Sequence, residues 1–365
     1  MRMHKHKRHH AKKSGFPPGS LVYIGQAEND AAKLEAPRLS LFFYDKDGLE
    51  ERIIALDELL SLNLESSKKL WLNVHGIHDV DLIKQIGHVF GVHPLVLEDI
   101  LNTNQRPKVD EYSHYVFLET RHFYYEKATM SVSSEQISLV LGRNFLLTFQ
   151  ERSTGAFASV RERLRVEHSP MRDLGVDYLA YSLLDSIVDK YFHALEEMGD
   201  DSEALEDALL TKPGNAELHS IHQLKRASIE LRRAVWPLRE VISHLIRNEA
   251  GFFNAGTIPY LRDVYDHTVN FIESLESIHD GLSGLMDIYV TSISNRVNLE
   301  LRALTVVAML FMPATLIAGI FGMNFQHMPW LADENGFWWV MAFMGSIALL
   351  MLLIFWRRQW LSSKS

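Results

Sequence analysis

The chain has 365 residues, enough for roughly two or three compact units, and its net charge of −9 disfavours a general nucleic-acid binder. It contains no cysteine, which excludes disulfides, thiolate zinc sites and cysteine nucleophiles, and a cytosol-facing protein fits best. The mean hydropathy of −0.06 resembles that of a soluble protein, but apolar residues are concentrated at the C-terminus.

The first segment, residues 1–19, is basic and rich in histidine. No apolar stretch follows it, so it does not have the form of a secretory signal. Because it is too polar to fold and its lysines and arginines repel cations, we predict a disordered arm. Metal binding stays open as an alternative for its histidines, which are His4, His6, His9 and His10.

Residues 20–152 are predicted to form a mixed α/β domain, because short β-rich runs alternate with helical stretches. The strand-like runs are LSLFFYD, KLWLNVHG, YVFLETRHFYY, ISLVLG and NFLLTFQ. The helical stretches are 57–64, 79–90 and 94–101.

The next segment, residues 153–256, is acidic, very polar and helical in pattern. Pro213 and Gly214 interrupt it near the middle, so we predict a hairpin of two long antiparallel helices. Pro237 is predicted to kink or end the second helix, because proline lacks the N–H group that a helix interior needs.

Residues 257–321 are predicted to form one stalk helix that continues into a membrane span. Thr257 fits an N-cap and Pro259 fits the first turn. A helix from Ile258 to Phe321 would be about 95 Å long, and a break near residue 290 is the alternative. Apolar positions repeat every seven residues along it, at Leu261, Thr268, Leu275, Leu282 and Tyr289, and again at Val264, Phe271, Ile278 and Leu285.

Two stretches near the C-terminus, Ala303–Phe321 and residues 337–356, contain no charged residue. About 20 apolar residues in a helix cross the hydrocarbon core of a bilayer, so we predict two transmembrane helices. A buried hairpin in a soluble core is the alternative.

Charge asymmetry predicts the orientation of these spans, because cytosolic flanks carry an excess of Lys and Arg. The loop between them, residues 322–336, has neither and carries Asp333 and Glu334 instead. We therefore expect a multi-pass protein of the cell (inner) membrane with an external loop, both termini in the cytoplasm and a basic tail at 357–365. The flanking basic residues are Arg296, Arg302, Arg357, Arg358 and Lys364.

Two helices cannot enclose a water-filled path, so ion passage would require several chains around one axis. One stripe of the first span mixes amide, hydroxyl and small side chains with Leu and Met, which fits a pore lining. Ordinary helix packing is the alternative for this stripe. The pore stripe consists of Asn298, Leu301, Leu304, Ala308, Met312, Thr315 and Gly319.

Directly after the first span stands Gly322-Met323-Asn324, within IFGMNFQHMPW. Together with HPLVLEDILNTNQRPKVDEY, HQLKRASIELRRAVWPLREV, YLRDVYDHT and FMPATLIAGIFGMNF, this motif resembles the CorA family of magnesium and cobalt transporters over most of the chain. The resemblance implies a funnel-shaped homopentamer, with the first span lining the pore and the second outside it. Several relatives carry an acidic residue where this chain has Gln326, so the transport rates and ion preference of those relatives are not carried over to this chain.

The resemblance places ion selection at Gly322, Met323 and Asn324. Mg²⁺ keeps several of its waters, and a ring of neutral amides can hold a hydrated ion without trapping it. Asp333 and Glu334 would add a screened attraction for cations at the mouth.

The resemblance also implies a cytosolic sensor that binds Mg²⁺ between adjacent subunits. The matching residues are Asp99, with Glu98 beside it, and Asp263, with Asp185 as a further candidate. From sequence alone, Glu98 and Asp99 would be ordinary surface charge. Mg²⁺ would thus be both cargo and regulator, with Co²⁺ and Ni²⁺ as further cargo.

Two alternatives remain at this point. One is a zinc transporter of the ZntB type within the same family. The other is a membrane-anchored metal sensor, receptor or enzyme, although the sequence lacks Walker A, Gly-x-Gly-x-x-Gly and His-Glu-x-x-His motifs.

Overall fold

The computed structural model describes residues 17–25, 36–61, 68–211, 213–323, 330, 333–358 and 360. The histidines of the predicted N-terminal arm, Asn324 and Gln326 therefore lie outside the described residues. The chain divides into two compact units, which are described separately. The first comprises residues 1–208 and 215–284, and the second comprises 209–214 and 285–365.

The first unit contains a seven-stranded sheet in the order β2-β1-β3-β7-β6-β5-β4. Strands β3 and β7 pair in parallel, and the other neighbours are antiparallel. The strands are β1 (Arg38–Tyr44), β2 (Leu49–Ile54), β3 (Lys69–His75), β4 (Lys108–Glu111), β5 (Tyr115–Glu126), β6 (Ser131–Gly142) and β7 (Phe145–Gln150). All five predicted strands are present, whereas β2 and β4 were not predicted.

Three short helices cover one face of this sheet with a continuous apolar core that includes Leu72, Ile83 and Ile100. The helices are α1 (Leu56–Leu60), α2 (Val80–Phe90) and α3 (Pro94–Leu101). Local sequence fixes their ends: the Asp79 carboxylate accepts the N–H of Leu82 at 3.0 Å, and Gly91 closes α2 at φ 65°. The helix predicted over 57–64 is present as α1, which ends at Leu60 and is therefore shorter than predicted. Residues 62–64 of that prediction lie outside the described residues.

The polar segment contains α4 (Ala158–Arg165), α5 (Pro170–Asp173), α6 (Val176–Thr211) and α7 (Asn215–Arg247). The break at Pro213 and Gly214 is confirmed, because α6 stops before it and α7 begins after it. Pro237 lies inside α7, so of the two predicted outcomes, a kink or the end of the helix, the end is wrong. The neighbouring Val235 and Leu238 are fully buried, and this packing offsets the roughly 3 kcal/mol that an interior proline costs.

The long helix α8 (Ile258–Phe321) is continuous, without the alternative break near residue 290. Ring contacts of Tyr178 with Tyr260 and of Tyr191 with Phe271 show that α6 runs parallel to α8.

Helix α7 runs antiparallel to α8, because Lys225 Nζ donates to Ser283 Oγ while Arg232 pairs with Glu276. Helices α6 and α7 are therefore antiparallel to each other, as predicted.

The predicted heptad stripe is the face that α8 buries in the first unit. Its buried members are Leu261, Val264, Thr268, Phe271, Leu275 and Leu282. Ile278 and Tyr289 are only partly buried. Apolar burial along this stripe is the main source of its stabilisation, since each fully buried Leu, Val or Phe contributes about 1.5–3 kcal/mol.

In the second unit, the C-terminal part of α8 and the helix α9 (Gly336–Arg357) are both long and apolar enough to cross a membrane. The most apolar 18-residue window of each helix has a mean hydropathy of 2.2, and only 6% and 0% of these windows are buried. A hairpin in a soluble core would bury these side chains, so their exposure favours lipid or other subunits as the covering medium.

Asp177 joins the beginnings of α6 and α8. Its carboxylate, 2% exposed, accepts the Asn254 N–H and side-chain amide at 2.9 Å each and the Thr257 hydroxyl at 2.6 Å. Thr257 directly precedes α8, which is the position predicted for an N-cap. Its side-chain hydroxyl, however, donates to the Asp177 carboxylate.

We expect Asp177→Ala to destabilise the protein by about 3 kcal/mol, because it removes bonds to a buried charge and leaves their donors unpaired. The measurement is the shift in thermal unfolding in detergent micelles. Asp173→Ala, an equal change of charge at an exposed position, serves as the control. Equal shifts in both variants would show that the Asp177 contacts contribute nothing specific.

Candidate ion pathway and metal centres

The pore stripe lies along the membrane part of α8, and all seven of its residues are exposed on the single chain. The end of the stripe near Gly319 forms a shallow cavity of about 470 Å³, lined by Met312, Thr315, Leu316, Gly319, Ile320 and Met323. The Thr315 hydroxyl donates to the Phe311 carbonyl at 2.9 Å, which leaves its oxygen lone pairs available to water. This face thus offers small and weakly polar groups without charge.

The end of α8 is continued by Gly322, whose N–H donates to the Ala318 carbonyl at 2.9 Å, and by Met323, which is half exposed. Asn324 of the predicted selectivity motif lies beyond the described residues. Asp333 and Glu334 are both exposed just before α9. The Asp333 carboxylate accepts the Asn335 N–H at 3.2 Å, so it bonds within its own turn and still faces solvent.

A candidate metal centre lies between α6 and α8, where Asp185, Asp189 and His267 bring one ligand atom each within 4.8 Å of one another. The two carboxylates are one turn apart on α6, and the Phe192 ring contacts both His267 and Phe271 of α8. His267 Nε2 also lies 3.9 Å from an oxygen of Asp263, one turn earlier.

Electrostatics at this centre favour a cation. Burial, together with the nearby carboxylates of Asp189 and Asp263, raises the pKa of Asp185 to about 6, against the opposing charges of Arg163 and His267. Carboxylates that repel one another gain stability when a divalent ion lies between them. Two carboxylates and an imidazole form a donor set that Mg²⁺, Co²⁺ and Zn²⁺ can all use.

Sequence analysis named Asp185 and Asp263 but missed Asp189 and His267. A signal was available, because each helix repeats a potential ligand four residues on, as Asp185/Asp189 and Asp263/His267. It could not be interpreted without knowing that α6 and α8 lie side by side.

Asp99, at the end of α3, lies among different partners. Its carboxylate accepts the Gln105 amide at 2.8 Å and the Lys108 ammonium at 2.5 Å, and its side chain is 19% exposed. The neighbouring Glu98 carboxylate accepts the N–H of Gly19 at 2.6 Å. The predicted Glu98–Asp99 pair is therefore divided between two sets of contacts within one subunit.

Comparison with known proteins decides the family. The family described as "CorA-like Mg2+ transporter protein" matches residues 66–358. A cobalt/magnesium transport protein CorA of Thermotoga maritima is 43% identical over 97% of this chain and 99% of its own length. The chain belongs to the CorA-like family. A putative metal ion transporter of Bacillus subtilis, YfjQ, is 31% identical over 80% of this chain and 89% of its own length.

The fold agrees with this membership. The solved complete structure of the CorA magnesium transporter from Methanocaldococcus jannaschii matches with a TM-score of 0.74 and 21% identity. The match covers 88% of this CorA-like chain and 98% of the solved one. An α/β domain, long helices and two apolar C-terminal helices, as predicted, are thus the architecture of the family.

One buried acidic residue of this CorA-like chain has no counterpart in the sequence-based predictions. Glu119 lies on β5 with 0% exposure, and neither carboxylate oxygen has a hydrogen-bond partner among the described residues. Burial, together with the charge of Asp99, raises its pKa to about 9, although Lys108 and Arg121 oppose the shift. Glu119 is therefore a neutral acid near neutral pH.

A carboxyl group whose pKa is raised on folding stabilises the protein below its unfolded pKa of 4.5, and this contribution is lost as the pH rises through about 9. The wild type should accordingly lose about 4 kcal/mol of stability between pH 5 and pH 8 through Glu119. Glu119→Gln should remove this loss, so that its advantage in thermal unfolding over wild type increases with pH.

Glu126→Gln, at an exposed position of the same strand, provides the comparison. It should follow the wild-type curve at every pH. A constant difference between Glu119→Gln and wild type from pH 5 to pH 8 would contradict the assigned protonation of Glu119.

Proposed function

We propose that this chain is the subunit of a divalent-cation uptake channel that carries Mg²⁺ and Co²⁺, with Ni²⁺ as a further ion. The similarity to a cobalt/magnesium transport protein over nearly the full length of both chains supports this most strongly. Two uncharged spans, within helices whose apolar windows are 6% and 0% buried, are consistent with it. The protein would lie in the cell (inner) membrane, with both termini in the cytoplasm.

We further propose a homopentamer with the pore stripe of α8 around its axis. A single pair of spans cannot enclose water, and the exposed faces of α8 and α9 require partners or lipid. In such an assembly Leu301, Leu304 and Met312 would form apolar rings that can close the pore by dewetting. Asn298 would form a polar ring at the cytosolic end.

Asn324, with Gly322 and Met323, would form the outer mouth. Amide oxygens can hydrogen-bond the water shell of Mg²⁺, and their lack of charge permits the ion to leave. Helix C-termini carry about half a negative charge each, so several copies of α8 ending there would attract cations. The exposed Asp333 and Glu334 would raise the local cation concentration.

Cytosolic Mg²⁺ would regulate the channel through carboxylates between subunits. Asp99 and Glu98 of one subunit would face Asp263 of the next. Asp185, Asp189 and His267 would form a second site, which their proximity within one chain supports. Filled sites would hold the subunits in a closed arrangement, and loss of metal would release them.

The first test is ion flux into liposomes. Asn324→Ala should reduce Mg²⁺ and Co²⁺ uptake at least about tenfold while leaving assembly intact, because it removes the amide ring that binds the hydrated ion. Asn335→Ala, the same substitution at the other end of the loop, should retain uptake. A membrane-anchored sensor, receptor or enzyme would give no flux in any variant, and uptake confined to Zn²⁺ would favour a zinc transporter.

The second test is protection from protease by Mg²⁺. Asp263→Ala should require about tenfold more Mg²⁺ for protection of the closed state, because a carboxylate ligand is lost. Asp280→Ala, an exposed aspartate on the same helix, should behave as wild type. An unchanged Mg²⁺ midpoint in Asp263→Ala would rule out its role in regulation.

A further inference from the structure

A metal ion that binds Asp99 has to compete with a cation that the chain itself supplies. The Lys108 ammonium lies 2.5 Å from one Asp99 oxygen and 3.2 Å from an Asp110 oxygen. A charge-assisted bond of this kind to a largely buried carboxylate is among the stronger polar contacts in proteins. A dication at Asp99 would repel the ammonium at this distance, so Lys108 has to leave as the ion arrives.

A second acceptor lies next to Lys108. Lys108 of β4 and Glu119 of β5 are direct partners in the antiparallel register. Such partners share one face of the sheet, with Cβ atoms about 5 Å apart. The Glu119 carboxyl is fully buried without a hydrogen-bond partner among the described residues. Burying an unpaired polar group costs stability, and a second state of the protein in which Glu119 is paired would explain why the group is there.

The other cation beside Glu119 already has partners. The Arg121 guanidinium donates to Ser134 Oγ and to the carbonyl oxygens of Thr103 and Gln105. Lys108 is only partly buried, with 33% of its side chain exposed, and its long stem can change rotamer without moving the strand.

We propose that Lys108 is a tethered competitor for the Asp99 site, and that Glu119 receives its ammonium group when a divalent ion binds Asp99. This inference rests on the proposed regulatory role of Asp99. As the ammonium approaches, Glu119 ionises and its proton passes to water, because a neighbouring cation favours the charged carboxylate. The pair thus sets the Mg²⁺ concentration at which the site fills.

The test is a double-mutant cycle on the full-length protein, with the Mg²⁺ midpoint of protease protection as the readout. Lys108→Met should lower the midpoint about tenfold, because the competing bond is absent. Glu119→Gln should raise it severalfold, because the displaced ammonium loses its acceptor. In the Lys108→Met background, Glu119→Gln should have no further effect.

Two results would overturn the proposal: a midpoint in Lys108→Met that is equal to or higher than wild type, or a shift by Glu119→Gln that persists without Lys108. Lys84→Met, an exposed lysine on α2, controls for the general loss of charge. Lys108→Gln repeats the test with a polar side chain should Lys108→Met fold poorly.

The Mg²⁺ titration of protease protection also distinguishes failure of the Lys108 proposal from failure of the proposed regulation by Mg²⁺. A wild type without any protection by Mg²⁺ would overturn both. If Asp263→Ala weakens the protection but Lys108→Met leaves it unchanged, only the role of Lys108 as a competitor would be overturned.

Discussion

The packing of α8 against α6 and α7 is the contact on which the candidate metal centre of this chain depends. Six residues of one stripe, from Leu261 to Leu282, are buried along that seam. Because α6 runs parallel to α8, ligands one turn apart on each helix lie at the same level. The centre formed by Asp185, Asp189 and His267 is therefore a product of apolar packing. Any shift of α8 along this seam would separate its ligands.

The two proposed kinds of ion site differ in charge, and the difference suits their tasks. A regulatory site has to hold an ion long enough to report its concentration, so carboxylates and an imidazole are appropriate. A conducting site has to release each ion quickly, so neutral oxygens that contact the water shell are sufficient. Charged residues are accordingly absent from Ala303–Phe321, and the exposed carboxylates of Asp333 and Glu334 lie outside that span.

Sequence patterns predicted the elements whose apolar residues have a clear period. Strands β1, β3, β5 and β7, both long helices of the hairpin and the continuous α8 belong to this group. Strands β2 and β4 escaped prediction because LEERII and KVDE are largely charged. They are the first and last strands in the order of the sheet, so among the described residues each pairs with one strand only. Their side chains bury little apolar surface.

The same limit applies to the sites. Motif resemblance named Asp99 and Asp263, which lie in the segments HPLVLEDILNTNQRPKVDEY and YLRDVYDHT, and added Asp185 as a further candidate. Asp189, His267, Lys108 and Glu119 become meaningful only when helices or strands distant in sequence are placed together. At Pro237 a local rule predicted a kink or the end of a helix, and the end is wrong because burial of Val235 and Leu238 maintains the helix.

The charged edges of the sheet have a consequence for assembly. A strand edge normally invites a further strand from a neighbouring molecule, and charges at the margin discourage that addition. With Glu50, Glu51 and Arg52 on one border and Lys108, Asp110 and Glu111 on the other, copies crowded beneath one patch of bilayer are kept from fusing their sheets. In the proposed assembly, association would then be left to helices and to metal-bridged carboxylates, which are contacts that can open again.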